Sequence, residues 1–503
     1  MTDSNTADSG ANEALASSTA ELRARLRERL GEALSASILV EAPEELDYYG
    51  QDRCRGGWPV APLAIAFPRT VDEVQACVRA CAQLELAIVP SGGRTGLAGG
   101  ATATAGELVL SLERLNRRCE VDAEARRVHC DGGVTVQRVH EAAAQAGLSY
   151  PVDWAASGSA HVAGSIATNA GGIRVLRYGM TREWVRGLSI VLASGELLEL
   201  GCDVIKDNTG YDLRQLFIGS EGTLGIIVGA TLALTRPPAD RVVALVALPN
   251  DAALLALLRR LGDSSLRLSA FECFDEGCVG HVLSHRGDSA SGGPFSGPDA
   301  ALGPQQVVLE VEVDAPGADA REAVYDDLAL LLADAQEADE IFDAVLSANA
   351  AQAQALWAWR EDISESLHPH TPHKADVCLP VHRLVDFMAA WREAVAREIP
   401  EIEARCFGHV GDGNLHLNLL RPEGWSLERF LDRCHAFDPI MYGLVQTYGG
   451  SVSAEHGIGL LKRGAIGFRR SPAELAAMRA LKAALDPQGR LNPGKVFPPT
   501  APN

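Results

Sequence analysis

His409 and His416 flank Gly411-Asp-Gly-Asn414, four residues of the kind that turn a chain. The runs on either side alternate in polarity, so the segment reads as a hairpin. A four-residue turn pairs Val410 with Leu415 and sets His409 opposite His416. Opposed side chains in an antiparallel pair have Cβ atoms about 4.5–5.5 Å apart, close enough for two imidazoles to share a metal ion. His416 and Asn418 fall on one face, while Leu415, Leu417 and Leu419 point into a core. Further along, Ser453-Ala-Glu-His-Gly-Ile-Gly459 brings a second Glu/His pair between glycines. The residue types imply a metal site with an acid–base partner. They leave two assignments open: Glu455 as ligand with His456 as base, or the reverse.

Glycine-rich stretches supply a second kind of chemistry. Pro90-Ser-Gly-Gly-Arg-Thr-Gly-Leu-Ala-Gly-Gly100 follows a strand pattern, and similar runs lie at 157–172 and 218–227. Glycine lets backbone N–H groups approach a phosphate closely. Neither G-x-G-x-x-G nor the P-loop pattern is present, so no Rossmann or NTPase site is supported. Three loops of this kind point to a large, phosphate-bearing cofactor lying along one domain.

The elements that must hold these residues follow from periodicity. Leucines at 22, 26, 30 and 34 line one helical face that docks on the body. Strand and helix patterns alternate at 63–67, 71–83, 87–89, 126–130 and 136–146, and a hairpin turns at Ser194-Gly195. Pro237-Pro238 separates this part from strand, helix, strand, helix at 242–248, 251–261, 307–314 and 320–333. The stretch 281–304 is rich in Gly, Ser and Pro and reads as a mobile surface loop, with His281 and His285 structural or exposed. Helices are expected at 427–448 and 472–485.

Composition limits the function classes. The chain has 503 residues, 47% hydrophobic and 22% charged, ordinary values for a globular enzyme of two or three domains. A net charge of −21 argues against a nucleic-acid partner or an anionic membrane surface. The longest apolar run, near 224–234, is too short for a transmembrane segment. Residues 1–20 fit neither a secretory signal nor a transit peptide and are expected to form a disordered tail. Eleven cysteines without paired spacing make a poor disulfide framework, so a reduced, cytoplasmic protein is expected, with Cys77 and Cys81 buried as small apolar residues.

The order of the glycine loops, with Lys206-Asp-Asn-Thr-Gly-Tyr-Asp-Leu213 between the second and third, resembles the vanillyl-alcohol-oxidase type of FAD flavoproteins. With Gly408-His-Val-Gly-Asp-Gly-Asn-Leu-His-Leu-Asn418 and the 451–459 segment, it resembles their D-2-hydroxy-acid dehydrogenase branch. The likeness covers roughly residues 45–497. It implies an α+β protein: an FAD-binding domain of two subdomains (21–238), an α+β substrate cap carrying the metal hairpin (239–426), and a C-terminal helical segment returning to the FAD domain (427–503).

The resemblance also implies roles. Ser91, Gly92, Gly93, Arg94, Thr95 and Gly96 would cradle the FAD pyrophosphate. Ser157, Gly158, Gly164, Thr168, Asn169 and Gly171 would line the flavin, Glu221, Gly225 and Ile226 would hold the adenosine-to-flavin portion, and Asn492 would lie near the isoalloxazine. The first loop lacks the His, Tyr or Cys that tethers FAD in some relatives, so dissociable FAD is expected. A divalent metal, zinc by resemblance, falls on His409, His416 and Glu455, with His456 as the base. Arg360, Ser364, Lys374 and Asn418, with His456, would bind the substrate; Ser364 stands where the family has Thr. The implied reaction is oxidation of a D-2-hydroxy acid, D-2-hydroxyglutarate to 2-oxoglutarate, with electron-transfer flavoprotein as the usual acceptor. Alternatives are D-lactate or glycolate oxidation on the same fold, or a non-catalytic FAD-binding electron-transfer subunit.

Overall fold

A computed structural model describes residues 5–498 except 55–56, 202–203, 205, 288–294 and 296–302, with side chains from residue 17 onward. The first helix runs Asn5–Leu30, so it begins inside the stretch expected to be a tail. Alanine and glutamate, both good helix formers, recur through residues 11–21. Gly31 breaks the helix at φ +80° before a short second one, Glu32–Ile38. Leu26 and Leu30 are buried, with Leu22 and Leu34 packed beside them on the core.

The half expected to bind FAD holds two sheets. In the first, Leu39–Val40, Ala64–Ala66, Leu108–Ser111 and Ile88–Ser91 lie in that order, the last three parallel. The helix Val71–Gln83 packs on it, capped by the Thr70 hydroxyl, which accepts from Glu73 N–H. It buries Val74, Cys77, Val78 and Cys81. The second sheet is antiparallel, in the order Cys119–Asp122, Arg127–Asp131, Ile226–Ala233, Val185–Val191, Leu197–Gly201. The described cysteines are all free thiols.

The cap is one antiparallel seven-stranded sheet, ordered Asp343–Leu346, Asp240–Leu248, Gln305–Val313, Arg267–Asp275, Glu403–His409, Asn414–Leu420, His373–Cys378. The strand Arg267–Asp275 and the helix Glu276–Arg286 behind it are additions to the sequence reading. That helix takes in His281, whose Nε2 is 2.9 Å from Glu403 Oε1, and Phe295 is buried in the core. The rest of the expected loop lies largely outside the described residues.

One face of the cap sheet is apolar and covered by helices Asp251–Gly262, Ala318–Glu337, Leu384–Glu398 and Leu427–Thr447. The helix Leu427–Thr447 therefore stays with the cap, burying Phe430, Phe437 and Met441. The return to the FAD half comes later. Leu460 N–H donates to Ala98 O (2.9 Å), Asn492 N–H donates to Ile88 O (2.7 Å), and Lys482 Nζ donates to Thr223 O (2.7 Å).

The other face of the cap sheet combines an apolar cluster around Leu245, Phe274 and Phe407 with buried charge, and looks toward the FAD half. Arg174 makes a two-pronged contact with buried Glu310 (2.8 and 3.1 Å), and Tyr178 O–H donates to Glu312 (2.7 Å). Both partners follow the second glycine loop. No described helix is long and apolar enough to cross a membrane.

Candidate active site

His409 and His416 meet on this charged face. Their Nε2 atoms are 3.3 Å apart, and Glu455 Oε1 is 3.8 Å from His409 Nε2. The ladder differs from the expected one by two residues: His416 pairs with Phe407, and His409 pairs with Glu272 of the strand Arg267–Asp275. The chain leaves the hairpin early, at Gly408, where a Cβ would lie 2.4 Å from Asn414 O. Side chains alternate with period two, so a two-residue shift keeps both imidazoles on one face and they meet diagonally. Leu415, Leu417 and Leu419 are buried on the opposite face, as expected.

Each imidazole turns its other nitrogen toward a buried carboxylate. His409 Nδ1 is 2.6 Å from Glu272 Oε1, and His416 Nδ1 is 3.7 Å from Asp376 Oδ1. Burial lowers His409, but Glu272 overrides it and pushes the imidazole up to about 9. Burial, then the neighbouring His409, holds His416 well below the usual range. Burial pushes the Glu455 carboxyl up to about 7. His416 is thus held neutral, with its nitrogen free to ligate, beside a His409 whose positive form Glu272 favours. Zinc ligands about 2.0–2.1 Å from a tetrahedral ion stand roughly 3.3 Å apart, and ligating histidines commonly give their second nitrogen to a carboxylate. The donor set fits a divalent metal.

Asp376 organises the other half of the site. Its Oδ1 accepts from Asn414 Nδ2 (2.8 Å), and its Oδ2 accepts from the N–H groups of Glu455 (2.9 Å) and His456 (3.2 Å). His456 Nδ1 lies 3.6 Å from the same Oδ2. Glu455 and His456 sit in an irregular segment, so the strict alternation of a strand does not govern them. Glu455 gathers with His409 and His416; His456 gathers with Asp376 and Glu455. Burial lowers the His456 imidazole, with Asp376 opposing and Lys462 and Lys374 adding to the lowering. Asp376 itself stays below the ordinary carboxylate range: burial would raise it, but His456, Lys462 and His416 outweigh that.

Arg360 is buried, with Nε 3.0 Å from Glu272 Oε2 and its guanidinium 4.7 Å from the centre of the Phe407 ring. Its charge is balanced inside the protein. Lys374 pairs in register with Asn418, so both point to the His416 face. Lys374 is exposed and has no ion pair among the described residues, and the buried Asn418 Oδ1 has no hydrogen-bond partner. Ser364 departs from the expectation. The helix Ala350–Glu361 ends before it, and Ser364 is exposed on the short helix Ile363–Ser366 with no hydrogen bond to Arg360.

The glycine loops converge. A Cβ at Gly92 would touch the Gly164 backbone, and one at Gly93 would lie 1.9 Å from Ser159 O, so first and second loops approach as only glycine allows. Arg94 has φ +55°, and its guanidinium stacks on Tyr48 and Tyr49. The Glu221 carboxylate is committed elsewhere, accepting from Ile458 N–H and Gly459 N–H, both 2.8 Å. Asn492 Nδ2 ties Gly100 O (2.8 Å) to Glu221 O (2.7 Å). Asn169 is also engaged, its Oδ1 accepting from Arg182 N–H. Gly225 and Ile226 pack inward: a Cβ on Gly225 would strike Ile190 and Phe217, and Ile226 is buried.

Comparison with known proteins then decides the family. The model for the C-terminal domain of FAD linked oxidases matches residues 237–496, and an FAD binding domain matches residues 62–201. A protein of Xanthomonas citri pv. viticola named D-2-hydroxyglutarate dehydrogenase is 45% identical over 93% of this chain and 95% of its own length. The chain belongs to the D-2-hydroxyglutarate dehydrogenase family of FAD-linked oxidases. Members so named from Stutzerimonas stutzeri (42%, covering 92% of this chain and 96% of that one) and, as a mitochondrial protein, from Bos taurus (37%, 92% and 81%) are also similar. Among solved structures, p-cresol methylhydroxylase with substrate bound (TM-score 0.72, 15% identity, 95% and 96% coverage) shares the fold. So does 4-ethylphenol oxidase from Gulosibacter chungangensis (0.71, 18%, 95% and 98%). The protein is an FAD-dependent oxidoreductase of the vanillyl-alcohol-oxidase fold.

As a member of this family the chain needs a seat for FAD, and its loops fit one. The N–H groups of residues 92–96 make no hydrogen bond with any described residue. Gly92 lies beside Gly164 and Gly93 beside Ser159, while an added Cβ at Gly158 or Gly164 would meet open space. Ser91 Oγ, His161 Nδ1, Ser220 Oγ and Asn492 Oδ1 are buried without partners beside the loops. Buried polar groups are rarely left so, and a cofactor with phosphates, hydroxyls and ring nitrogens would satisfy them. Two residues of the metal half were missed in the sequence, Glu272 and Asp376. Each is an acid set directly between apolar neighbours, Phe271-Glu-Cys-Phe and Ala375-Asp-Val, and that placement was the available signal.

Proposed function

We propose that the protein oxidises D-2-hydroxyglutarate to 2-oxoglutarate, using FAD and a divalent metal, zinc by ligand type, held by His409, His416 and Glu455. The observation that carries this reading is the convergence of those three donors with a fourth titratable group, His456, beside them on the face of the cap that looks toward the flavin loops. The metal, when bound, would polarise the substrate hydroxyl. FAD, when bound, would accept the hydride. His456, held neutral by burial, takes the hydroxyl proton, and Asp376 behind Nδ1 steadies the imidazolium that results. Asn418 and Lys374 read the substrate from the His416 face. Arg360, balanced by Glu272, offers its remaining N–H groups, so Lys374 is the uncompensated cation and a distal carboxylate its natural partner. The dehydrogenase relatives carry the D-2-hydroxyglutarate name in print, which supports the same substrate here. Electron-transfer flavoprotein is the proposed acceptor.

The test is the ratio of kcat/KM for D-2-hydroxyglutarate to that for D-lactate. A charge-assisted contact is worth about 1.5–3 kcal/mol, so Lys374→Ala is expected to lower the ratio roughly 10–150-fold. Arg360→Ala should lower it in the same direction. If D-lactate is the better wild-type substrate, or both substrates lose equally, the dicarboxylate reading fails.

A second expectation concerns attachment. No His, Tyr or Cys lies in residues 91–96, and the His161 ring stands at the start of the helix Val162–Thr168. The flavin is expected in the supernatant after acid or heat precipitation; flavin absorbance retained by the pelleted polypeptide would show a covalent link.

A further inference from the structure

We infer that Glu272 is a positioning residue shared by two sites, fixing a metal-ligand histidine with one oxygen and the substrate-facing Arg360 with the other. The inference rests on the metal and substrate roles proposed above. Glu272 is fully buried in the strand Arg267–Asp275, and its neighbour in the strand Gln305–Val313 is the apolar Val308. Its Oε1 lies 2.6 Å from His409 Nδ1, and its Oε2 lies 3.0 Å from Arg360 Nε. The ring then closes. The Arg360 guanidinium lies over Phe407, the Phe407 ring is 5.2 Å from the His416 ring, and His416 Nε2 is 3.3 Å from His409 Nε2.

A buried carboxylate is stable only when paired, and this one is paired twice. Accepting from His409 Nδ1–H fixes the tautomer that leaves the Nε2 lone pair for a metal. Facing Arg360 Nε holds the guanidinium plane and leaves its terminal N–H groups to meet an anion. Neither Arg360 nor Glu272 touches the proposed metal position, yet both are mechanically part of it. Removing the carboxylate therefore loosens metal and substrate together, and refilling the metal restores only one of them.

Glu272→Gln keeps the shape and removes the charge. Zinc affinity, measured by chelator competition on the flavin-loaded protein, is expected to weaken about 10–100-fold. At saturating zinc, KM for D-2-hydroxyglutarate should stay raised about tenfold or more, while KM for D-lactate moves little. Unchanged zinc affinity in the variant, with normal binding in the wild type, overturns the inference alone. Full recovery of KM at saturating zinc also overturns it, because Glu272 would then serve the metal only. A wild-type protein that binds no zinc overturns the metal reading and this inference with it. Should E272Q lose its flavin, Arg360→Gln carries the test. The freed carboxylate then acts on His409 alone and zinc should bind several-fold tighter; an unchanged affinity overturns the shared role.

Discussion

With His456 replaced by alanine, kcat is expected to fall about 10²–10⁴-fold, the usual worth of a positioned acid–base group, while flavin and zinc contents stay at wild-type levels. The separation of effects follows from geometry. The three donors proposed to hold the metal are His409, His416 and Glu455, while His456 gathers with Asp376 and Glu455. Burial keeps the imidazole neutral and ready to accept a proton. Its backbone N–H is held by Asp376, so truncating the ring leaves the Glu455 segment in place. Metal analysis of His456→Ala and Glu455→Ala side by side decides the matter. Zinc lost from the first and kept by the second would exchange the two roles.

Removing the metal should abolish turnover and leave the flavin bound. The two seats are built from different parts of the chain: the N–H groups of residues 92–96 and the helix Val162–Thr168 on one side, the cap strands Glu403–His409 and Asn414–Leu420 with Glu455 on the other. Dialysis against a chelator, followed by flavin absorbance, zinc content and dye-linked activity, measures all three quantities in one sample. Activity is expected to return on adding zinc or another divalent ion. Undiminished turnover after verified removal would exclude a catalytic role for the donor set.

Much of this architecture was legible in the chain. The helices Val71–Gln83 and Pro472–Leu485 have the predicted limits because Thr70 and Ser471 cap them and their apolar faces repeat with helical period. The meeting of His409 and His416 was legible because turn residues and alternation put them on one face for any even shift of register. The register itself was not, since Gly408 lies so near Asn414 O that a Cβ there would clash, a closeness of backbones that no pattern of side chains reveals. The partners of Arg360 were hidden for a related reason. Glu272 lies 88 positions earlier in the sequence and reaches it only through tertiary pairing of the cap strands. Resemblance placed Glu221 and Asn169 at the cofactor, and the folded chain adds what it could not give: their side chains bind the 458–459 loop and Arg182 N–H.

The grip of Glu221 on Ile458 and Gly459 has a consequence for engineering. The loop that presents Glu455 and His456 is anchored two residues later by an acid from the other half of the molecule, and Asn492 knots the same acid to Gly100. Cap and FAD halves are therefore not interchangeable parts. A chimera that grafts this cap onto a foreign FAD half at the Pro237-Pro238 junction leaves the 457–459 loop facing whatever residue its new host carries at position 221. Successful exchange needs Glu221, the 457–459 loop and Asn492 moved as a set, so the smallest transplantable unit of this chemistry straddles the seam between domains.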